Sequence, residues 1–479
     1  MRLGFKNFIC LLTLFQTLCC TKSFAEEPPE TLDVAIFGLG GRAHYLLAEC
    51  VRLKQSTGKE LRVVAICDNQ PQTSYDFFIK NRLPAELLDE YTLLFQNTNF
   101  YPDSEEGIRT LLNQHPNLDR IWITSSNDRH ALHLQEILEH SSCENIFIEK
   151  PLFKTLEEFS QFNRGLGPKN IQVGLTLRSA KITQLVAENL KAHASALGKL
   201  QKIRSWEHVN FGHGLSIIMM NWRRYISLSG GLLIEKSVHD LDLAYFFMET
   251  LGAHPQSVSI STEVDHRFYK KSNKELIVSR LLSDPEVRNN AAGWDKIPWQ
   301  RKIPFLYDPQ GQIDWNATLD LFFEEFPEDD DFSHSDIIPD THIVHSKITT
   351  ETGDLIDFDL EVKLNLFAPQ TIRGSLLSFE RGSVEVDLEG SKMIVQIKDT
   401  PPLEINLETR RIPHAGGDVF VAHGILGTLP PGALSAQFSD PSVQISSMVG
   451  LISEYQAQRG IKTPIEIKKI DQRWVMESP

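Results

Sequence analysis

Apolar runs and helically spaced apolar residues take turns along the first third of the chain. Residues 33–37 (Asp33-Val34-Ala35-Ile36-Phe37) predict a short buried strand, and over 43–54 the residues Leu46, Leu47, Cys50 and Val51 recur at helical spacing. Residues 61–67 predict a second strand, 107–114 a helix, 120–124 a strand, 131–140 a helix and 145–148 a strand. Strands alternating with helices predict a parallel sheet that takes its ligand at the carboxyl ends. Later the period changes to two. Ile356, Phe358, Leu360, Val362 and Leu364 alternate with polar residues after the turn Gly353-Asp354, and 344–367 with 375–397 predict a mixed, largely antiparallel sheet. A helix over 446–459 and a strand over 463–467 follow. No internal repeat is visible.

At 479 residues the chain exceeds one ordinary core, so two domains are expected. Hydrophobic content of 41% and charged content of 23% are those of a globular protein. A net charge of -15 argues against a nucleic-acid partner, which would need a basic face. Arg2 and Lys6 precede an apolar stretch over 8–20, and Ser23-Phe24-Ala25 offers small residues at a cleavage site. The stretch is shorter than the ~20 residues of a spanning helix. Residues 1–25 therefore read as a signal peptide and the protein as exported, periplasmic or secreted; an uncleaved anchor is the alternative. Neither Cys19 nor Cys20 has the leucine of a lipoprotein signal three positions before it, and no arginine pair marks folded-state export. Cys50, Cys67 and Cys143 would remain, an odd and widely spaced set that suggests packing rather than disulfides or a metal site.

The chemistry gathers at predicted strand ends. Gly38-Leu39-Gly40-Gly41-Arg42-Ala43 stands between the first strand and the first helix, as a Rossmann dinucleotide fingerprint requires. Gly38 permits the turn, Gly40 lets the backbone approach a pyrophosphate at the helix start, and Ala43 is the third small residue. Asp68 closes the second strand, 25 positions after Ala43, where an acid binds the adenosine ribose and repels a 2′-phosphate. That favours NAD, while Arg42 within reach of a 2′-phosphate keeps NADP open. Lys150, in Glu149-Lys150-Pro151, ends an apolar strand with a charge that is expensive to desolvate unless it has a use. Glu235 and His239 are four apart, on one face if helical, after the flexible Gly230-Gly231. Carboxylate, imidazole and ammonium together make a proton-handling group.

These marks resemble the Gfo/Idh/MocA family, named for glucose–fructose oxidoreductase and inositol dehydrogenase. The resemblance spans residues 31–266 and 340–467. It rests on the glycine turn, Ser126-Asn127-Asp128-Arg129-His130, Glu149-Lys150-Pro151, Val173-Gly174-Leu175-Thr176-Leu177-Arg178, Asn221-Trp222-Arg223-Arg224, the segment 230–242 and His414-Ala415-Gly416-Gly417-Asp418. Ser126 replaces the family's usual proline, and Glu235 stands where many members have aspartate. The implied fold is α/β plus α+β: a Rossmann parallel-sheet domain over 31–152 and a substrate and oligomerisation domain over 153–470. An insertion over 267–339 would be a lid, an oligomer arm or an extra subdomain.

The resemblance implies a hydride moved between a nicotinamide and a secondary alcohol or hemiacetal carbon of a sugar or polyol. Lys150, His239 and Glu235 would be catalytic. Gly38, Gly40, Gly41, Arg42, Ala43, Asp68, Ser125, Asn127, His130 and Glu149 would hold the cofactor, with His130 open to a purely structural role. Arg178, Trp222, Arg223 and His213 would line the substrate pocket, and no metal is expected. A homo-oligomer through the C-terminal sheet is implied. The alternatives are a redox-neutral hydrolase or lyase with tightly held NAD, and a non-catalytic binding protein on the same fold.

Overall fold

A computed structural model describes residues 30–162, 169–219, 221–294, 297, 304–328, 330–368, 370–407, 416–471 and 473–476. The expected signal peptide and His414-Ala415 lie outside these residues. Two sheets organise the chain. The first contains β1 (Glu30–Phe37), β2 (Lys59–Cys67), β3 (Asn99–Tyr101), β4 (Arg120–Ile123), β5 (Asn145–Ile148) and β6 (Asn170–Val173). Their order is β6-β5-β4-β1-β2-β3, all parallel. In β1, Val34 and Ile36 pack into one fully buried layer and Ala35 and Phe37 into the other. A strand covered by helices on both faces has no polar side, which is why it reads as an unbroken apolar run. The strand order reverses between β1 and β4, and the crevice at such a switch point is where ligands bind.

The second sheet has ten strands: β7 (Leu200–Asn210), β8 (Pro255–Asp265), β9 (Thr341–Thr350), β10 (Leu355–Leu366), β11 (Ile372–Phe379), β12 (Gly382–Asp387), β13 (Lys392–Ile397), β14 (Leu403–Asn406), β16 (Ile465–Ile470) and β17 (Arg473–Met476). Among its described residues, only β7 and β10 pair in parallel. The period of two has its physical cause here. Ile356, Phe358, Leu360, Val362 and Leu364 of β10 are buried beneath helices. On the opposite face Asp359 meets Lys202 and His345, and Glu361 meets His208.

Two expectations about organisation need correction. The first sheet does not stop at residue 152, because β6 continues it to Val173. Nor is it contiguous: β15 (Ala436–Gln437) pairs antiparallel with β6. The helix Gly417–Leu426 sends Val421, Ala422, Ile425 and Leu426 into the layer under β1. An apolar sheet face must be covered by something, and here a segment from far along the chain does it. The described residues of the 267–339 region include the α-helices Lys274–Ser283, Pro285–Trp294 and Trp315–Phe323, fastened to the second domain. Asp340 takes the amides of Arg267, Phe268 and Tyr269, and the Tyr269 hydroxyl donates to the Leu364 carbonyl at 3.2 Å. Glu325 of this region, half exposed, pairs with the buried Arg224 at 2.6 Å.

Gly417 starts the helix that completes the first domain, and a Cβ there would overlap the Thr176 carbonyl oxygen. Gly417→Ala should therefore destabilise by about 1–3 kcal/mol, although alanine alone favours a helix by about 1 kcal/mol. Urea unfolding measures this. An unchanged midpoint would show that the close approach is not what docks the helix.

Candidate active site

The crevice begins where β1 ends. Gly38 has φ of 88°, and a Cβ would overlap Ser125 Cα and stand 2.5 Å from its nitrogen, so β1 and β4 converge too closely for any side chain. Around a Cβ at Gly40, by contrast, nothing lies within 4 Å. The helix that follows, Gly41–Thr57, has neither a side-chain cap nor an acid in its first turn. Its leading amides are thus offered to an anion, and Ala43 is fully buried where the helix meets the sheet. Asp68 ends β2 and accepts the amides of Leu39 at 2.8 Å and Gln70 at 2.6 Å. Burial raises its pKa against the pull of those amides. A carboxylate oxygen that takes one amide keeps a lone pair for a ribose hydroxyl. Open space, an uncapped helix start and an acid at the β2 end fit a dinucleotide.

Arg42 is not a 2′-phosphate ligand here. Its Nε donates to Glu149 at 2.6 Å and its Nη1 pairs with Asp418 at 2.7 Å. Glu149 lies beyond β5, on the opposite side of β1 from Asp68. Burial opposes the guanidinium charge, but the two carboxylates outweigh it and raise its pKa further. Glu149 is packed tightly as well, since a Cβ on Gly174 would come within 2.8 Å of its carboxylate.

Ser125, Asn127 and His130 follow β4. The Ser125 hydroxyl is 3.0 Å from His133 Nδ1, and His133 Nε2 is 2.8 Å from Asp103, which also pairs with Arg129. Burial would raise the Asp103 pKa, yet His133 and Arg129 hold it down at about 2. An ionised Asp103 accepts a hydrogen bond from Nε2–H, which leaves Nδ1 to accept from the serine hydroxyl. Sequence reading missed His133 and Asp103, because Asp103 comes from the loop after β3 and nothing local links the two. His130 is a strut: its two ring nitrogens lie 2.7 Å from the Pro151 carbonyl and 3.1 Å from the Ser125 carbonyl, and because burial lowers its pKa the neutral ring donates its one N–H to one of them. It ties the ends of β4 and β5 together, and neither nitrogen is left for a nicotinamide.

The second domain supplies the other wall. Glu235 lies in a π-helical turn, Leu233–Ser237, and His239 in the α-helix Val238–Thr250 that continues it, rather than both on one regular helix. They are 2% and 4% exposed, so both are buried. The Lys150 ammonium donates to the main-chain carbonyl of Glu235 at 2.6 Å, and Asn127 donates to the Glu235 carboxylate at 3.1 Å. Burial lowers the Lys150 pKa, with the Glu235 charge opposing it. Burial pushes the Glu235 carboxyl up, but Lys150 and Arg223 reverse that and hold it below its ordinary value. Arg223 Nε stands 3.4 Å from Glu235 and the guanidinium lies over the Trp222 ring. His213 is exposed. The Lys236 charge, with desolvation and then Arg223, pushes its pKa well below 6.5.

Arg178 does not line a pocket. It is 2% exposed, gripped by Asp242, Asp440 and Ser442, and lies over the Phe246 ring. Sequence reading also missed the layer beneath the site, where Glu207 takes Lys236 at 3.3 Å, Ser237 at 2.5 Å and Arg373, and Arg373 reaches Asp240 at 3.4 Å.

Glu454, from the helix Pro441–Arg459, accepts the Leu233 amide at 2.6 Å and so holds the start of the Glu235 turn. A Cβ on Gly231 would overlap its carboxylate. Burial, partly offset by the Leu233 and Ile234 amides, pushes the Glu454 carboxyl up to about 8, and His342 beside it stays neutral at about 3. An unfolded glutamate releases its proton near 4.5 while the folded one keeps it to about 8, so this group's stabilisation is full below 4.5 and falls across that window. Glu454→Gln should flatten that part of the stability–pH curve in chemical unfolding. Parallel curves for variant and wild type would discard the shifted carboxyl.

A family model described as oxidoreductase family, NAD-binding Rossmann fold (Gfo/Idh/MocA) matches residues 32–174. No curated protein matches the chain in sequence. Among solved structures, levoglucosan dehydrogenase in complex with NADH and levoglucosan is 14% identical with a TM-score of 0.55, covering 93% of this chain and 99% of that one. An inositol dehydrogenase homolog from Azotobacter vinelandii, complexed with NAD+, is 13% identical with a TM-score of 0.55, covering 94% and 98%. An oxidoreductase from Sinorhizobium meliloti is 10% identical with a TM-score of 0.53, covering 91% and 99%. At such identities the likeness shows the shared two-sheet fold. Residues 32–174 are an NAD-binding Rossmann domain of the Gfo/Idh/MocA oxidoreductase family, in a chain whose two-sheet architecture is shared with these enzymes.

Proposed function

We propose that the protein is an NAD-dependent oxidoreductase acting on a secondary alcohol or hemiacetal carbon of a sugar or polyol. One observation carries the reading. The Lys150 ammonium leaves the β5 end of the nucleotide crevice and bonds the main chain of the turn that leads into His239. A bound nicotinamide would supply the hydride acceptor. His239 would take the hydroxyl proton, and Lys150 would bond the same oxygen and stabilise it as an alkoxide. Glu235, fixed by Asn127 and Arg223, would keep Lys150 charged and placed rather than touch the reacting carbon. NAD is favoured over NADP by Asp68 at the β2 end and by Arg42, which two carboxylates already hold. The solved relatives bound to NADH with levoglucosan, or to NAD+, support this cofactor and substrate class. Export through residues 1–25 and assembly through the charged outer face of the ten-stranded sheet complete the proposal.

Denaturing the purified protein and assaying the supernatant should release NAD, and a sugar panel should raise the reduced-nicotinamide absorbance. No bound dinucleotide and no affinity for one would remove the reading. Lys150→Ala should lower turnover by about a hundredfold or more while leaving the NAD Kd nearly unchanged. Because burial lowers the Lys150 pKa, activity that needs its ammonium should begin to fall below the 10.5 of an ordinary lysine. An alkaline limb at or above that value would take the lysine out of the mechanism.

A further inference from the structure

The whole chain is acidic, yet the cleft floor is not. Lys150, Arg223, Lys236 and Arg373 gather around Glu235 and Glu207, while the third carboxyl, Asp240, is pushed up to about 7 by burial against the pull of Arg373. Glu149 and Glu389 add negative charge from further off, on Lys150 and on Arg373. Arg373 is spent on Glu207 and Asp240 below the floor, but Arg223 is not spent. Its Nε makes only the 3.4 Å approach to Glu235, short of a hydrogen bond, and its two terminal nitrogens make no bond to any described residue. The side chain is 29% exposed, and its plane is supported by the Trp222 ring at 5.2 Å. A guanidinium held by a ring on its face and a carboxylate at Nε presents its outer edge as a fixed two-pronged donor. Lys236, 13% exposed, and the neutral His213 stand beside it; His213 adds a hydrogen-bonding group without a further charge.

We propose that the substrate is an anionic sugar, a sugar acid whose carboxylate is held by the outer edge of Arg223 next to Lys236. This takes the same cleft as the oxidoreductase reading for the substrate site. The prong spacing of one guanidinium matches the two oxygens of a carboxylate, and the unspent edge of Arg223 would draw acids into the cleft in preference to neutral sugars.

The test uses the NAD-loaded full chain and matched pairs: D-glucuronate, D-galacturonate and D-mannuronate, each against its neutral parent sugar, with glucose 6-phosphate as the phosphate arm. Binding is read by calorimetry and by tryptophan fluorescence. At least one acid should bind about tenfold or more tighter than its neutral partner, and the difference should shrink as salt rises. Arg223→Gln should abolish it, and Arg223→Lys, which keeps the charge but loses the fork, should retain part of it. Wild-type protein that binds the neutral sugars as well as the acids would overturn the proposal, as would a preference that survives Arg223→Gln. Preference for glucose 6-phosphate alone would overturn the carboxylate assignment. Arg223-dependent binding of acids without NAD reduction would leave this inference standing and remove the redox reading; oxidation of neutral sugars alone would do the reverse.

Discussion

The structure depends on a desolvated ammonium. Lys150 is carried by the first domain, and burial works against its charge, so it must be answered from outside its own strand. The answer comes from the second domain, through the carbonyl of Glu235 at 2.6 Å and the charge of its carboxylate. That requirement fixes how the sheets meet, because a carbonyl and a carboxylate from one turn must both face the end of β5. Asn127 reinforces the junction by donating to the Ser229 carbonyl at 2.8 Å and to Glu235. The crevice between the domains is thus tied by polar contacts at the point where chemistry would take place.

Behind that contact lie further layers of compensation. The π-helical turn that carries Glu235 and Lys236 is held at its start by Glu454 and at its end by Ser237 on Glu207. The segment before it is clamped by the 267–339 region: the Ile226 amide donates to the Asp336 carbonyl at 2.7 Å, and the Ile338 amide to the Arg224 carbonyl at 2.8 Å. Arg224 itself is buried against Phe322 and Glu325. Its neighbour Arg223 faces the cleft. The added helices therefore buttress the short helix Asn221–Arg224 that carries Arg223.

Much of the site could be read along the chain because its physics is local. A glycine turn between an apolar run and a helix, an acid closing the next strand, and a lysine closing a buried one each violate or satisfy rules that operate over a few residues. The readings that needed correction share another trait. Arg42 and Arg178 are charged residues whose roles depend on partners far away in sequence, Glu149 and Asp418 for one, Asp242 and Asp440 for the other. His130 was ambiguous for the same reason, since its partners are main-chain carbonyls that only folding brings to it. The relay of Ser125, His133 and Asp103 and the layer of Glu207, Arg373 and Asp240 escaped notice because no pattern of spacing announces them.

By itself, the sequence determined the alternation of strands and helices, the period-two sheet, and the strand-end positions of Gly38, Asp68, Asn127 and Lys150. Those follow from side-chain periodicity and backbone sterics, which act between near neighbours. Only the tertiary structure decided which charges are spent and which are left over. The helix Gly417–Leu426 comes back to complete the first domain and its Asp418 occupies Arg42, while Arg223 keeps an open edge. Electrostatic partnership in a low-dielectric interior depends on distances of a few ångströms between remote segments, and the linear order of residues does not contain those distances.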